Sequence, residues 1–139
     1  IDEVVVPANY NAPGQLVISG STAGIEAATE RLKAVDGVKR VLPLPVGGAF
    51  HSPLMQPAAA DLKAQIERTT FRAPRCPVYQ NVTARPTTDA GEIARSLEAQ
   101  LTGPVRWMQT IRAMDADGIT DYREVGPGTV LTGLNRKIL

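Results

Sequence analysis

The alternation of strand-like and helix-like segments constrains the fold of this 139-residue chain more than any other feature of the sequence. Short runs rich in valine and isoleucine alternate with longer segments whose apolar residues recur at helical spacing, and Gly and Pro separate them. This alternation is typical of α/β proteins with a mostly parallel sheet. We therefore predict an α/β fold.

The first 46 residues predict a compact β-β-α-β unit. Two strands flank a turn that contains Pro13 and Gly14, a pattern that favours a hairpin. An amphipathic helix and a third strand follow, and the two prolines of that strand suit a sheet edge. The predicted ranges are 3–10, 15–19, 23–35 and 39–46.

The remaining residues predict a second unit in which strands alternate with helices, as in an α/β fold with a mostly parallel sheet. It begins with a loop over residues 47–53. Helices are predicted at 54–69, 89–101, 104–117 and 129–139, and strands at 77–82 and 120–125. We place the boundary between the two units after residue 46, which gives domains of 1–46 and 47–139.

The composition excludes several classes of function. Hydrophobic residues make up 43% of the chain, and the formal net charge of +1 provides no basic excess for nucleic acid. No apolar run approaches the ~20 residues that span a bilayer. Cys76 is the only cysteine, so no intrachain disulfide or Cys/His metal cluster is expected, and cytoplasm is the default location. The chain starts at Ile1, almost within a strand, which predicts a piece of a longer protein.

His51 is the only histidine and the first candidate for catalysis. It follows a glycine-containing loop and precedes a helix, where α/β folds place ligand-binding loops. A histidine here can act as a general base, or it can simply pack its ring at the helix start. Ser52 is predicted to cap that helix, with Pro53 as its first residue.

No convincing nucleophile for such a base is present. Residues 20–24 resemble a Gly-x-Ser-x-Gly elbow, but the central residue is Thr22, and Ser21 or Thr22 is better explained as a helix cap. Cys76 is expected to be a small buried hydrophobe. The loop at 126–128 can present N–H groups to an anion, although a packed turn is the simpler interpretation. Trp107 is expected in the core.

Five further stretches, spread in order over nearly the whole chain, are informative when taken together. They are Pro7-Ala8-Asn9-Tyr10-Asn11-Ala12-Pro13-Gly14-Gln15, Leu44-Pro45-Val46 with Gly48-Ala49-Phe50-His51-Ser52-Pro53-Leu54-Met55, Asn81-Val82-Thr83-Ala84, Gln100-Leu101 with Pro104-Val105-Arg106-Trp107, and Glu124-Val125-Gly126-Pro127-Gly128. In this order and spacing they resemble the C-terminal half of malonyl-CoA:acyl carrier protein transacylases. The resemblance implies the C-terminal part of a hydrolase-like parallel-sheet core plus part of a small ferredoxin-like subdomain.

The resemblance also implies a ping-pong Ser–His mechanism and a set of site residues. His51 matches the family's base, and Gln100 matches the position whose backbone carbonyl orients that imidazole. Phe50 matches a position associated with malonyl rather than methylmalonyl units, because a bulky ring leaves little room for an α-methyl branch. Asn11 and Asn81 match polar positions near the pocket. No metal or cofactor is implied, since malonyl-CoA is the substrate.

The family's serine nucleophile and carboxylate-binding arginine have no counterparts in this chain. The resemblance therefore implies a fragment of an enzyme of fatty acid synthesis, monomeric when intact, whose partners are malonyl-CoA and acyl carrier protein. Two alternatives stay open: a polyketide synthase acyltransferase domain, and a non-catalytic half-domain that binds a carrier protein or a complementary N-terminal half. We expect the chain alone to be marginally stable or to aggregate, because half a domain exposes strand edges and apolar faces.

Overall fold

A β-hairpin begins the fold in the computed structural model, which describes residues 1–139. β1 (Val5–Ala12) and β2 (Gln15–Gly20) pair in antiparallel register across a two-residue loop. Gly14 in that loop has a φ of 74°, which glycine adopts without a steric penalty. The register shifts at Ala8 and at Asn11, as it does at β-bulges. The predicted hairpin is confirmed.

α1 (Thr22–Lys33) starts directly after the hairpin and packs against it. The Ser21 hydroxyl accepts a hydrogen bond from the Gly24 N–H at 3.0 Å, so the predicted cap is confirmed. A Cβ atom at Gly20 would lie 2.0 Å from the carbonyl oxygen of Val4. Only glycine therefore allows the chain to turn from β2 into α1 so close to β1.

A chain of short elements follows after residue 50. A 3₁₀ helix leads into the first of four α-helices, and a pair of two-residue strands forms a second antiparallel sheet. The elements are the 3₁₀ helix Pro53–Ala58, α2 (Ala59–Arg68), β3 (Val78–Tyr79), β4 (Pro86–Thr87), α3 (Ala90–Ala99), α4 (Trp107–Ala116) and α5 (Val130–Ile138).

The small core lies between β1 and the last two helices. Ile111 of α4 is 1% exposed and Leu134 of α5 is also buried, and the two helices contact each other and β1. Val105 joins this layer through backbone hydrogen bonds: its N–H donates to the Ala8 carbonyl at 2.7 Å, and its carbonyl accepts from the Tyr10 N–H at 2.8 Å. β1 therefore contacts both predicted units, and the boundary after residue 46 stays a prediction.

Three predicted strands differ from the structure. Residues 39–46 and 120–125 form no ladder, and the strand predicted at 77–82 is only Val78–Tyr79. The single parallel pairing is an isolated bridge between Asn9 and Val105, so the predicted parallel sheet is not formed within these residues. The physical reason is that a strand requires a neighbouring backbone to pair with, and these apolar segments have none in this chain.

The helix predictions are confirmed apart from their ends. The helix predicted at 54–69 begins as a 3₁₀ helix because Pro57 has no N–H to donate to an α-helical ladder. Asp89 caps α3 by accepting from the Glu92 N–H at 2.7 Å. No helix of the structure is both long enough and apolar enough to cross a bilayer.

Candidate active site

His51 lies in a left-handed turn between a loop and the 3₁₀ helix. Its φ is 59°, a region that few residues other than glycine occupy. The side chain is half-buried. Such backbone conformations persist only where the surrounding contacts hold them, and they are concentrated at functional sites.

The imidazole of His51 is held by the backbone of another element. Its Nδ1 atom lies 3.0 Å from the carbonyl oxygen of Gln100. A carbonyl oxygen can only accept a hydrogen bond, so in the neutral ring Nδ1 carries the proton and Nε2 keeps its lone pair. The arrangement can therefore take a proton at Nε2 while Nδ1 stays bonded.

The Gln100 carbonyl is available because of its place in the fold. Gln100 is the C-terminal cap of α3, and the last carbonyls of a helix have no partner within that helix. The same end carries the partial negative charge of the helix dipole, which favours a cation nearby. An imidazolium at position 51 would thus face a carbonyl and the negative end of α3.

A cavity of about 280 Å³ lies beside this pair. Apolar side chains from the 3₁₀ helix, α2 and α3 form most of its wall, and no Ser, Thr or Cys lines it. Phe50 is 49% exposed, and Gly48 leaves room for its ring: a Cβ atom there would lie 3.1 Å from Phe50 Cζ. The lining residues are Phe50, His51, Met55, Leu62, Ile66, Leu97, Gln100 and Leu101.

Of the two asparagines predicted to lie near the pocket, only Asn81 forms a hydrogen bond with the His51–Gln100 pair. Asn81 Nδ2 donates to Gln100 Oε1 at 3.4 Å, and its backbone carbonyl accepts from the Arg106 N–H at 3.0 Å. Asn81 therefore connects the end of α3 to the start of α4. Asn11 lies at the bulge near the end of β1 and forms no hydrogen bond with His51, Gln100 or Asn81. Their predicted substrate contacts stay predictions.

The N-terminus of α5, which follows the loop at residues 126–128, already binds an anion from this chain. Glu124 accepts from the Thr132 hydroxyl at 2.7 Å, from the Thr132 N–H at 2.9 Å and from the Leu131 N–H at 3.2 Å. These hydrogen bonds, led by those from Thr132, hold the pKa of Glu124 below its ordinary value. The carboxylate caps α5, a role that sequence reasoning missed although Glu124 lies only six residues before the first residue of the helix.

The structure also shows the surroundings of Cys76 and Trp107, the two residues that the sequence predicts to be buried. Cys76 is exposed, so the prediction of a buried cysteine is wrong: the segment before β3 lies on the surface instead of entering a core strand. Trp107 is half-buried and donates from Nε1 to Asn135 Oδ1 at 3.1 Å, which ties α4 to α5. No three His, Cys, Asp or Glu side chains come together in a group that could hold a metal ion.

Fold and site together define an α/β protein with a histidine held at the C-terminal end of a helix, beside an apolar pocket. The family model described as acyl transferase domain matches residues 1–136. The chain belongs to the acyl transferase domain family.

Curated relatives of this chain include proteins of the class that the sequence stretches resemble. The malonyl CoA-acyl carrier protein transacylase of Salmonella typhimurium is 44% identical over 137 residues, which cover 99% of this chain and 44% of the relative. That of Bacillus subtilis is 44% identical over 131 residues, covering 94% and 41%. The predicted resemblance is confirmed, and the chain spans less than half the length of these relatives.

Solved structures agree with the α/β class. An acyl carrier protein S-malonyltransferase from Vibrio cholerae superposes with a TM-score of 0.94 at 43% identity, over 99% of this chain and 45% of that one. A malonyl-transacylase solved in complex with its type II polyketide synthase acyl carrier protein superposes with a TM-score of 0.92 at 41% identity, over 99% and 44%. The predicted α/β class is thereby confirmed.

Proposed function

We propose that this chain is the C-terminal part of an acyltransferase that moves malonyl from coenzyme A to the phosphopantetheine thiol of acyl carrier protein. The observation that carries the proposal is the His51–Gln100 pair, with Nδ1 bonded at 3.0 Å and Nε2 free to accept a proton. The names of the relatives supply the two substrates.

The first half-reaction forms an acyl-enzyme. A serine hydroxyl attacks the thioester carbonyl of malonyl-CoA while His51 Nε2 takes the hydroxyl proton. The C–S bond breaks, and the proton passes to the coenzyme A sulfur as it leaves. Malonate is then esterified to the serine.

The second half-reaction reverses this chemistry with a different thiol. His51 Nε2 takes the proton of the carrier protein's phosphopantetheine thiol, whose sulfur attacks the serine ester. The C–O bond breaks, and the proton returns to the serine oxygen. The Gln100 carbonyl keeps the ring oriented throughout, which replaces the carboxylate of a Ser-His-Asp triad.

We further propose that the serine and the cationic group for the malonyl carboxylate belong to a polypeptide segment outside these 139 residues. The wall of the cavity supports this, because its only polar members are His51 and Gln100. Phe50 would then discriminate against an α-methyl branch, and Asn11 and Asn81 would lie near the completed pocket. The proposed enzyme needs no cofactor, is monomeric when intact and works in the cytoplasm.

The carrier protein that accepts the malonyl group belongs either to fatty acid synthesis or to polyketide synthesis. We favour fatty acid synthesis, and transfer rates to purified carrier proteins of both kinds decide between them. A non-catalytic role for this chain by itself is the second candidate. It is favoured by the exposure of Val125, which is 91%, since so open an apolar residue suits a surface that binds a complementary half.

Two measurements test the proposal. Intact-mass analysis after incubation with malonyl-CoA should show an adduct on the longer protein and none on residues 1–139. In the longer protein, His51→Ala should lower malonyl transfer by about 10²–10⁴-fold, the span for losing a general base. Near-normal transfer in that variant would remove His51 from the mechanism. A stable adduct on residues 1–139 would place the nucleophile within them, and Cys76, Ser21 and Thr22 would be the first residues to replace.

A further inference from the structure

Ser52 is the most completely buried polar residue of the chain, with 0% of its surface exposed. Its hydroxyl donates to the Ala49 carbonyl at 2.6 Å and accepts from the Leu54 N–H at 3.2 Å. One hydroxyl thus connects the backbone two residues before His51 with the backbone three residues after it. The second bond is an ordinary helix cap, whereas the first reaches back across the turn.

His51 depends on such a connection because its backbone is in the left-handed region, with a φ of 59°. A side chain with a Cβ atom is disfavoured there, so the turn would relax to a right-handed or extended conformation if nothing opposed it. The Met55 N–H also donates to the Ser52 carbonyl at 3.0 Å, which fixes the start of the 3₁₀ helix. Ser52 holds the turn at both of its ends.

The direction of the imidazole follows from that turn. A change of backbone conformation at His51 would redirect its Cα–Cβ bond, and the Nδ1 contact with Gln100 across 49 residues of sequence would be lost. No other hydrogen bond fixes the ring. The orientation of the imidazole therefore depends on the turn that the Ser52 hydroxyl bridges.

We propose that Ser52 is a positioning residue, whose hydroxyl keeps His51 in its left-handed turn and its imidazole on the Gln100 carbonyl. The proposal rests on the proposed role of His51 as the base. Ser52 itself does not contact the reacting atoms. Its effect is on the orientation of the base, and misplacing a reacting group by about 1 Å can lower a rate by about 10²-fold.

The test compares Ser52→Ala with Thr110→Val in the longer protein that carries this chain. Thr110 is a matched control, since it is a buried residue of α4 whose hydroxyl also donates to a backbone carbonyl, that of Arg106 at 2.7 Å. We expect Ser52→Ala to lower kcat by about 10–10²-fold with the KM for malonyl-CoA changed less than about twofold. Thr110→Val should lower thermal stability to a similar extent and leave kcat near that of the unmodified protein.

Two further variants and one spectroscopic measurement distinguish a loss of imidazole positioning from a general loss of stability. Ser52→Thr retains the hydroxyl and should recover most of kcat, while Ser52→Cys, with its weaker hydrogen-bonding thiol, should fall between serine and alanine. In ¹⁵N spectra of the histidine-labelled protein, the His51 signals are assigned by their absence in His51→Ala. The Nδ1–H tautomer of His51 should dominate in the unmodified protein, and its population should decline in Ser52→Ala and Ser52→Cys.

The positioning role is overturned if Ser52→Ala, or Ser52→Cys where the alanine variant does not fold, keeps both the tautomer and the kcat of the unmodified protein while His51→Ala is inactive. If His51→Ala itself keeps near-normal kcat, the proposed base fails instead, and the tautomer measurement still decides whether Ser52 orients the ring.

Discussion

The surface of this chain is too large for a self-contained domain of its mass. A folded monomer of 14.8 kDa should expose about 7,000 Å². The structure exposes 9589 Å², an excess of roughly 2,600 Å² over that scaling. Permanent interfaces bury about 1,000–2,500 Å² on each partner, so the excess equals the contribution of one side of a large obligate interface.

A substitution at Val125 tests most directly whether this exposed surface is covered in a longer protein. Val125 is 91% exposed although it is the last residue of the strand predicted at 120–125. If the rest of a longer enzyme covers Val125, the contact is worth about 1.5–3 kcal/mol, the range for burying a valine fully. Val125→Lys should then destabilise the longer protein by at least about 2 kcal/mol and lower its Tm by roughly 4 °C or more.

The same substitution should behave differently in residues 1–139 alone. There the lysine would stay in water, so the free energy of unfolding should change by less than about 0.5 kcal/mol, and aggregation should decrease. Thermal unfolding and light scattering of both proteins measure the two responses. Gln65→Lys, which adds the same ammonium group at an exposed polar position of α2, is the control and should leave both Tm values nearly unchanged.

Two results would refute this reasoning. One is an unchanged Tm for Val125→Lys in the longer protein, which would mean that nothing covers this site. The other is a monomeric sample of residues 1–139 with a single cooperative thermal transition, which would mean that the excess surface does not prevent independent folding.

Two predictions concern the pocket and the last helix. Phe50→Ser in the longer protein should shift the ratio of kcat/KM for methylmalonyl-CoA over malonyl-CoA upward by about 10–200-fold, the discrimination that one methyl-sized contact supplies; an unchanged ratio would remove Phe50 from acyl-group selection. Because the pKa of Glu124 is lowered by folding, its capping of α5 stabilises the protein fully above the ordinary glutamate value of about 4.3 and is lost as the pH falls below it. Denaturant unfolding from pH 7 to pH 3 should therefore show a shallower acid loss of stability for Glu124→Gln, and identical slopes would contradict the capping role.

The sequence predicted those features that depend on local chemistry. Ser21 and Asp89 cap their helices as their residue types and positions indicate, and Gly14 turns the hairpin. These outcomes are local because the partner of each group lies within a few residues. Pairing between distant segments is different: residues 39–46 have the composition of a strand, but only the presence of a second backbone decides whether a ladder forms.

The site was predictable only in part, for a related reason. That His51 meets the carbonyl of Gln100 came from family resemblance, since a backbone carbonyl carries no residue-specific signal and 49 residues separate the two. The left-handed conformation of His51 had no signal in the sequence either, because turns of that kind favour glycine or asparagine. Glu124 had a signal in the sequence, because it is an acidic residue shortly before a Gly-Pro-Gly turn and a helix. The interpretation of that segment as a packed turn, with an external anion as the alternative, did not include a cap from within the chain.

The side chain of Gln100 has a structural role that is separate from the hydrogen bond between its backbone carbonyl and His51. A carbonyl would serve His51 equally well on any residue, so the hydrogen bond to Nδ1 does not select the side chain. The Gln100 side chain instead accepts from Asn81 Nδ2, and the Asn81 carbonyl accepts from the N–H of Arg106, the N-cap residue of α4. Gln100 thus fixes the end of α3 against the start of α4, and the position of its carbonyl is fixed with it. The orientation of the His51 imidazole consequently depends on two connections: the turn bridged by Ser52 directs the ring, and the α3–α4 connection places the carbonyl that accepts from it.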